Sequence, residues 1–368
     1  MDAVHEYADA GEARVILAVD GNSLVHRSFH AQAGTGFRGP DGRPMWAVRG
    51  LLSQLVAAVE RTGAGAVVVG FDDPHASRRR DTWPQYKATR TDKLDTMVGQ
   101  LAGAIDPLRA MGVAVVVPDG LEADDVLAST ARYAASIGAS TVVMTSDRDA
   151  FCLIDGCTRV LRIINGGVEA SPLLTPDRLV TLLGVRPEQY RDFAALRGDA
   201  SDNLPGVRGV GPKTAARLLA TLGSARAAFD DVAAGGGRVT AAIGTTAATK
   251  LADPAARAAW ALNCQVMRMH DDIPLGCDLR AGAGTLPLAA DAVRAAFGVL
   301  QLPLTTATAL RVLAHQDSPA PAPRIAWRAD PDRSTWPPRR SQPPSTRRTT
   351  RRLAAAASIA DTGQLPLF

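Results

Sequence analysis

Three short apolar runs, each closed by an aspartate, constrain this chain more than any other feature. They are Val15-Ile-Leu-Ala-Val-Asp20, Val67-Val-Val-Gly-Phe-Asp72 and Thr141-Val-Val-Met-Thr-Ser-Asp147. Each is short and β-branched, the pattern of a strand buried on both faces. Helical apolar periods over residues 51–60, 97–111 and 123–137 separate them. Strands alternating with helices predict an α/β fold with a mostly parallel central sheet flanked by helices. Such sheets place ligands at the carboxyl ends of their strands. Asp20, Asp72 and Asp147 fall at those ends and can converge from distant parts of the chain. Any one of them alone reads more readily as a cap or turn residue; the set does not.

Six further acids join them. Glu122, Asp124 and Asp125 lie in Leu-Glu-Ala-Asp-Asp-Val, which opens a helix. Residues three apart share a helix face, so Glu122 and Asp125 can point together, and a helix N-terminus tolerates clustered negative charge. Asp149 follows Asp147 in Thr-Ser-Asp-Arg-Asp, and Asp199 and Asp202 lie in Gly-Asp-Ala-Ser-Asp-Asn-Leu-Pro-Gly. Converging carboxylates repel and must protonate or bind cations. Oxygen-only ligation suits Mg²⁺ or Mn²⁺. Two such ions roughly 4 Å apart can activate a water and stabilise the leaving oxygen of a phosphodiester. Zinc is not indicated, because Cys152, Cys157, Cys264 and Cys277 form no CxxC pair and no His-linked spacing. His26 and His30 likewise read as packing or polar contacts.

From about residue 173 the pattern turns helical, with helices expected over 176–183, 187–197, 212–222 and 254–263. This predicts an α/β core over 14–172 and a helical helix–turn–helix subdomain over 173–315. Residues 233–238 read as a flexible loop. Pro205-Gly-Val-Arg-Gly-Val-Gly-Pro-Lys-Thr214 is a glycine-rich turn opening a helix. Gly206, Gly209 and Gly211 would let its backbone approach a phosphate, with helix N–H donors and the Lys213 charge beside it. A plain helix–helix connection is the alternative. Residues 1–13 form an N-terminal extension, and 316–363 are rich in Pro and Arg and expected to be disordered. Residues 316 onward hold nine Arg and four Asp, so a net charge of +4 leaves the body at −1. No apolar stretch could span a bilayer, and the acidic N-terminus lacks a signal-peptide core. A soluble cytoplasmic protein with no membrane partner is expected.

The strings VDGNSLVHRSFHA, GFDDPHASRRRDTWPQYKATR, LEADDVLAS, TSDRDAFCLI and GDASDNLPGVRGVGPKTAARLL resemble, in order and spacing, the bacterial 5′-3′ exonuclease / flap endonuclease family. They are similar to the 5′-nuclease domain of family A DNA polymerases, over roughly residues 14–315 and without a polymerase region. The resemblance implies a PIN-like 5′-nuclease core. It implies a metal-dependent 5′-3′ exonuclease and flap endonuclease, associated with the nucleoid and working on DNA, including RNA primers, in replication and repair. Asp20, Asp72 and Asp124 would hold a first ion, with Glu122 and Asp125 direct or through water. Asp147, Asp149 and Asp202 would hold a second, with Asp199 close by. An arch over about 73–96 would bring Arg78, Arg79, Arg80, Lys87 and Arg90 to the DNA, the last two to the reacting phosphate, with Tyr86 or Trp83 stacking on a base. Arg27 would touch phosphate. Lys213 and Thr214 would meet the duplex backbone beside a K⁺ ion held by turn carbonyls. Asp73 departs from the small residue usual after FD. A small PIN-type RNase would lack the element from Gly198 to Thr214, and a non-catalytic DNA-binding relative would lack an acid; none is missing. The last residues, Gln364-Leu365-Pro-Leu367-Phe368, are similar to the QLxLF peptide that binds the bacterial sliding clamp.

Overall fold

A computed structural model of the chain describes residues 14–90 and 94–316. The N-terminal extension, residues 91–93, the Pro/Arg-rich tail and the clamp-like peptide (Gln364, Leu365, Leu367, Phe368) lie outside the described residues.

The three acid-terminated runs form β1 (Val15–Asp20), β2 (Ala66–Gly70) and, after β3 (Ala114–Val116), β4 (Ser140–Thr145). Two strands follow, β5 (Thr158–Arg162) and β6 (Leu173–Leu174). The sheet order is β3-β2-β1-β4-β5-β6. The first five strands run parallel, and β6 pairs antiparallel with β5. Strand order reverses between β1 and β4, which opens the crevice where open α/β sheets take ligands. Asp20 lies opposite Gly70, and Val19 opposite Met144, so the acid-bearing ends are level.

The helices of the first half are α1 (Gly21–Gln32), α2 (Trp46–Thr62), α3 (Arg78–Thr82), α4 (Asp95–Ala110) and α5 (Ala123–Ser136). Next come α6 (Gly167–Ala170), α7 (Pro176–Leu183), α8 (Tyr190–Arg197), α9 (Pro212–Leu222) and α10 (Ala225–Ala233). The last are α11 (Gly237–Ile243), α12 (Thr245–Leu251), α13 (Pro254–Val266), α14 (Ala290–Val299) and α15 (Pro303–Leu313). Strand side chains alternate between faces. Leu17, Val19, Val67 and Met144 pack under α1, α2 and α4, with Leu24, Leu51, Leu55 and Leu108. On the other face Ile16 and Val68 meet Val126 of α5, while Ala18 and Val143 meet Phe151, Tyr190 and Phe193 of a helical layer.

Two expectations need correction. The loop over 233–238 is only a three-residue turn: Gly236, at φ 69°, lets α11 start at Gly237. The helical subdomain does not run to residue 315. Val293, Phe297 and Leu313 of α14 and α15 join the core cluster of α2, and Arg311 pairs with Glu60 at 2.5 Å. An apolar face covered by a sheet-side helix looks, in sequence, like one covered by another helix.

Candidate active site

Asp20 ends β1 and caps α1, its Oδ1 accepting from Ser23 N at 2.8 Å. Its Oδ2 accepts from Thr145 Oγ1 at 2.7 Å, and that hydroxyl accepts from Asp147 N at 3.0 Å. Thr145 therefore ties the end of β1 to the end of β4. Asp72 is clamped by Asn22, which donates from Nδ2 to Oδ2 at 2.6 Å and accepts from Asp72 N at 3.0 Å. Ala123 N, opening α5, donates to the other Asp72 oxygen at 3.0 Å. Asp147 is exposed and Asp149 half-buried, with Asp149 N donating to Asp147 Oδ1 at 3.0 Å. Asp199 and Asp202 sit in a tight turn closed by an Asp199–Leu204 backbone bridge.

These acids sense one another. Burial, helped by Asp72 and Asp147, pushes the Asp20 carboxyl up to about 7. Burial, with Asp147, Asp199 and Asp202, pushes Asp149 up to about 8. Asp124 rises for the same reasons, burial first and then Asp147 and Asp20. Asp202 is also raised, burial outweighing Lys87 and Arg90. Ionising these four carboxyls is therefore disfavoured, by burial first and by neighbouring acids second. No group of three or more His, Cys, Asp or Glu among the described residues is arranged to hold a metal ion. The acids lie within electrostatic reach without forming a ready-made cage.

Two cations of the arch segment dock on these acids. Lys87 Nζ lies 2.9 Å from Glu122 Oε2, which also accepts from Tyr86 Oη at 3.1 Å. Arg90 pairs with Asp202 and donates from Nε to Ser201 O at 3.2 Å. Lys87 N donates to Asp202 O at 3.1 Å, Trp83 Nε1 to Asn203 O at 3.1 Å and Asn203 Nδ2 to Gln85 O at 3.0 Å. The segment from Trp83 to Arg90 is thus zipped onto the Asp199–Leu204 turn.

Several expected DNA contacts find other partners. Tyr86 is 4% exposed, so its ring has no open face for a base; it instead anchors Glu122. Trp83 is half-buried with its N–H committed to backbone. Of the three consecutive arginines only Arg78 and Arg80 are exposed. Arg79 is buried, both Nη atoms 2.9 Å from Asp125. Asp125, expected as a metal ligand, is fully buried and accepts from Arg79 Nη1 and Nη2, Glu122 N and His270 N. A carboxylate has about four lone-pair sites, so none remains for an ion. Arg27 is half-buried and donates to Asn165 at 3.2 Å. Asp73 accepts from Gly120, His75 and Ala76 N at 2.6, 2.8 and 3.2 Å. These bonds hold it below its ordinary pKa and explain its departure as a turn cap.

In the glycine-rich turn the three glycines differ. A Cβ at Gly206 would stand 2.0 Å from Arg197 O, so that glycine serves backbone packing. Gly209 adopts φ 81°, and a Cβ there would meet the Lys250 stem at 2.6 Å. Gly211 is exposed with nothing within 4 Å of its Cβ position, while its carbonyl accepts from Ala215 N at 2.9 Å. Lys213 is exposed and Thr214 half-buried. Lys250, exposed in the last turn of α12, lies across this turn. Nothing in the sequence near residue 250 signals that. Asn22 and Thr145 were missed because polar residues beside a strand end carry no periodic signal.

A parallel sheet with acids at its switch point, joined to a helical layer with a glycine-rich turn, defines a PIN-like 5′-nuclease fold. It is shared with a bacteriophage T5 flap endonuclease captured with DNA and metal ions (TM-score 0.56, 18% identity, covering 82% of this chain and 100% of that one). Residues 15–181 match the 5′-3′ exonuclease N-terminal resolvase-like domain, and 185–287 its C-terminal SAM fold. The chain belongs to the 5′-3′ exonuclease family. It is 38% identical over 228 residues to DNA polymerase I of Mycobacterium tuberculosis, covering 62% of this chain and 25% of that one. It is 39% identical over 212 residues to the thermostable DNA polymerase I of Thermus aquaticus, covering 58% and 24%. The chain thus spans about a quarter of the length of these relatives. No helix among the described residues is long and apolar enough to cross a membrane.

Proposed function

We propose that this chain is a divalent-metal-dependent 5′ nuclease that hydrolyses DNA phosphodiesters at 5′ ends, nicks and flaps in replication and repair. One observation carries the reading: five chain segments deliver carboxylates to the β1/β4 switch point, and two arch cations are docked on that same cluster. The donors are hard oxygens only, and their mutual repulsion is what a cation relieves, so they fit Mg²⁺ or Mn²⁺. Asp20, Asp72 and Asp124, with Glu122, would hold one ion; Asp147, Asp149 and Asp202, with Asp199 nearby, the other. When bound, such ions supply an activated water and stabilise the leaving oxygen.

The chain's own residues orient the substrate. Lys87 and Arg90 exchange their carboxylate partners for the non-bridging oxygens of the attacked phosphate, where developing charge is greatest. Lys213, Lys250 and the exposed backbone at Gly211 hold the duplex away from the cut, with exposed Arg78 and Arg80 on the arch side. The turn carbonyls are the proposed K⁺ site, and RNA-primed 5′ ends a further substrate. The Gln364–Phe368 peptide is proposed to dock on a bacterial sliding clamp through Leu365, Leu367 and Phe368, with Gln364 at the pocket rim. Titrating purified clamp against the full chain and a Gln364→Ala/Leu367→Ala/Phe368→Ala variant tests that link. The activity itself is tested by mapping products from 5′-labelled flap, nicked and blunt duplexes with Mg²⁺ and with EDTA. Ion-dependent cuts near the junction or 5′ end support it, whereas equal cutting in EDTA overturns it.

A further inference from the structure

Inside α3 lies a buried guanidinium with all three of its nitrogens bonded. Arg79 Nη1 and Nη2 each lie 2.9 Å from an oxygen of Asp125. Nη1 also lies 3.2 Å from Glu122 Oε2. Nε donates to Val266 O at 3.1 Å and Nη2 to Arg268 O at 3.4 Å. One guanidinium thereby joins the arch segment, the acid-bearing start of α5 and the chain leaving α13. Lysine could not do this, because only a planar fork reaches both carboxylate oxygens at once. Burial works against the charge, but Glu122 and Asp125 outweigh it and keep Arg79 protonated.

The other end of the arrangement lies on α13 itself. Asn263, fully buried one turn before Val266, donates from Nδ2 to Ala195 O at 2.9 Å and Pro205 O at 2.8 Å. Ala195 and Pro205 bracket the turn carrying Asp199 and Asp202. The helix therefore grips the Asp199–Asp202 turn at Asn263 and, three residues on, the Glu122–Asp125 corner through Arg79. These two corners belong to the two acid groups assigned above to separate ions.

We propose that Arg79, with Asp125, is a positioning residue that uses α13 as a strut to fix the spacing of the two acid groups. This inference rests on the metal-dependent reading of the site. Arg79 touches neither substrate nor ion; it acts through Glu122 and through the backbone at Val266 and Arg268. Its partner Asp125 gives up ligation in order to hold it.

Removing Arg79 alone would leave Asp125 buried and unpaired, and the protein could unfold. The test therefore uses the paired R79M/D125L variant, which removes both charges, alongside R79K. The melting temperature of the full chain is followed during Mn²⁺ titration without DNA, and single-turnover flap cleavage is followed separately. Loosened support of ligating groups typically costs about 10–100-fold in metal affinity or activity. In the folded paired variant the Mn²⁺ midpoint should rise by that amount and the cleavage rate fall to match, while flap affinity in EDTA stays within about twofold of wild type. In R79K, a shift of the same sign is expected. Adding E122Q to the paired variant should slow it further than E122Q alone, because Arg79 also acts through the backbone at Val266 and Arg268; a triple variant no slower than E122Q alone would remove the α13 route and overturn the strut. A Mn²⁺ midpoint and rate equal to wild type in either folded variant overturn the inference alone. A wild type whose melting temperature ignores Mn²⁺ overturns the reading of the site and this inference with it.

Discussion

Lys87 holds its ammonium nitrogen 2.9 Å from Glu122 Oε2 while its backbone sits in the left-handed region at φ 56°. A side-chain-bearing residue adopts that conformation at a cost. The hydrogen bond from Lys87 N to Asp202 O helps offset it. Burial would lower the Lys87 pKa, but Glu122 and Asp202 outweigh it and keep the ammonium charged. Lys87 thus bridges a core acid and the helical-layer turn, and a phosphate arriving there meets a charged donor.

Lys87→Ala is therefore expected to slow the single-turnover rate by roughly 10²–10³-fold, as for loss of one transition-state donor. Flap affinity should change far less. Rapid-quench cleavage beside fluorescence-anisotropy binding separates the two. An affinity loss as large as the rate loss would place Lys87 in ground-state binding instead.

The cations at the glycine-rich turn should behave in the opposite way. Lys213→Ala and Lys250→Ala should each weaken duplex binding across sequences and reduce the salt slope by about one. Bound single-turnover rates should stay near wild type. Binding measured over a salt series checks this, and an unchanged slope in K250A would remove Lys250 from the grip.

Asn22 orients Asp72 with a reciprocal pair of hydrogen bonds. Asn22→Ala should raise the divalent-ion concentration needed for half-maximal cleavage by about 10–100-fold. A cleavage-versus-Mg²⁺ curve overlapping wild type would show that the other Asp72 contacts suffice.

The raised carboxyls set a pH dependence for the ion-free protein. Asp20 is pushed up to about 7 and Asp149 to about 8, each by burial first and then by neighbouring acids, from an ordinary value of 3.8. The folded state then binds protons that the unfolded chain has already released. Their contribution to stability is complete below the unfolded value and is lost as pH rises through the folded ones. In EDTA the melting temperature should fall between about pH 5 and pH 8, and saturating Mg²⁺ should flatten that fall by binding the ionised form. A melting temperature that rises over this range in EDTA would contradict the assignment.

The sequence made the acid-terminated strands readable because a buried parallel strand leaves an uninterrupted β-branched run. β5 escaped notice because Arg159 and Arg162 interrupt its apolar residues. The acids were legible as a set, but which of them face solvent was not. The Glu122/Asp125 pairing on one helix face was visible; that Arg79 meets both oxygens of Asp125 was not, since the middle of Arg78-Arg79-Arg80 turns inward only once α3 forms. Tyr86 was misjudged for a similar reason: an aromatic in a basic segment looks like a stacking platform until its hydroxyl finds a buried carboxylate. Lys250 was out of reach, because its proximity to Gly209 is created by α11 packing on α9 and α12 packing on α11.

Asp147 follows β4 and Asp202 lies in the turn before α9, and Asp147 helps raise the Asp202 carboxyl after burial. The most direct measurement compares flap cleavage and flap binding by wild type, Asp147→Ala and Asp202→Ala in Mg²⁺, with cleavage under single-turnover conditions. Each substitution should lower the cleavage rate on the order of 10³-fold or more while the flap still binds. Cleavage at the wild-type rate by either variant would contradict hydrolysis at this cluster of acids.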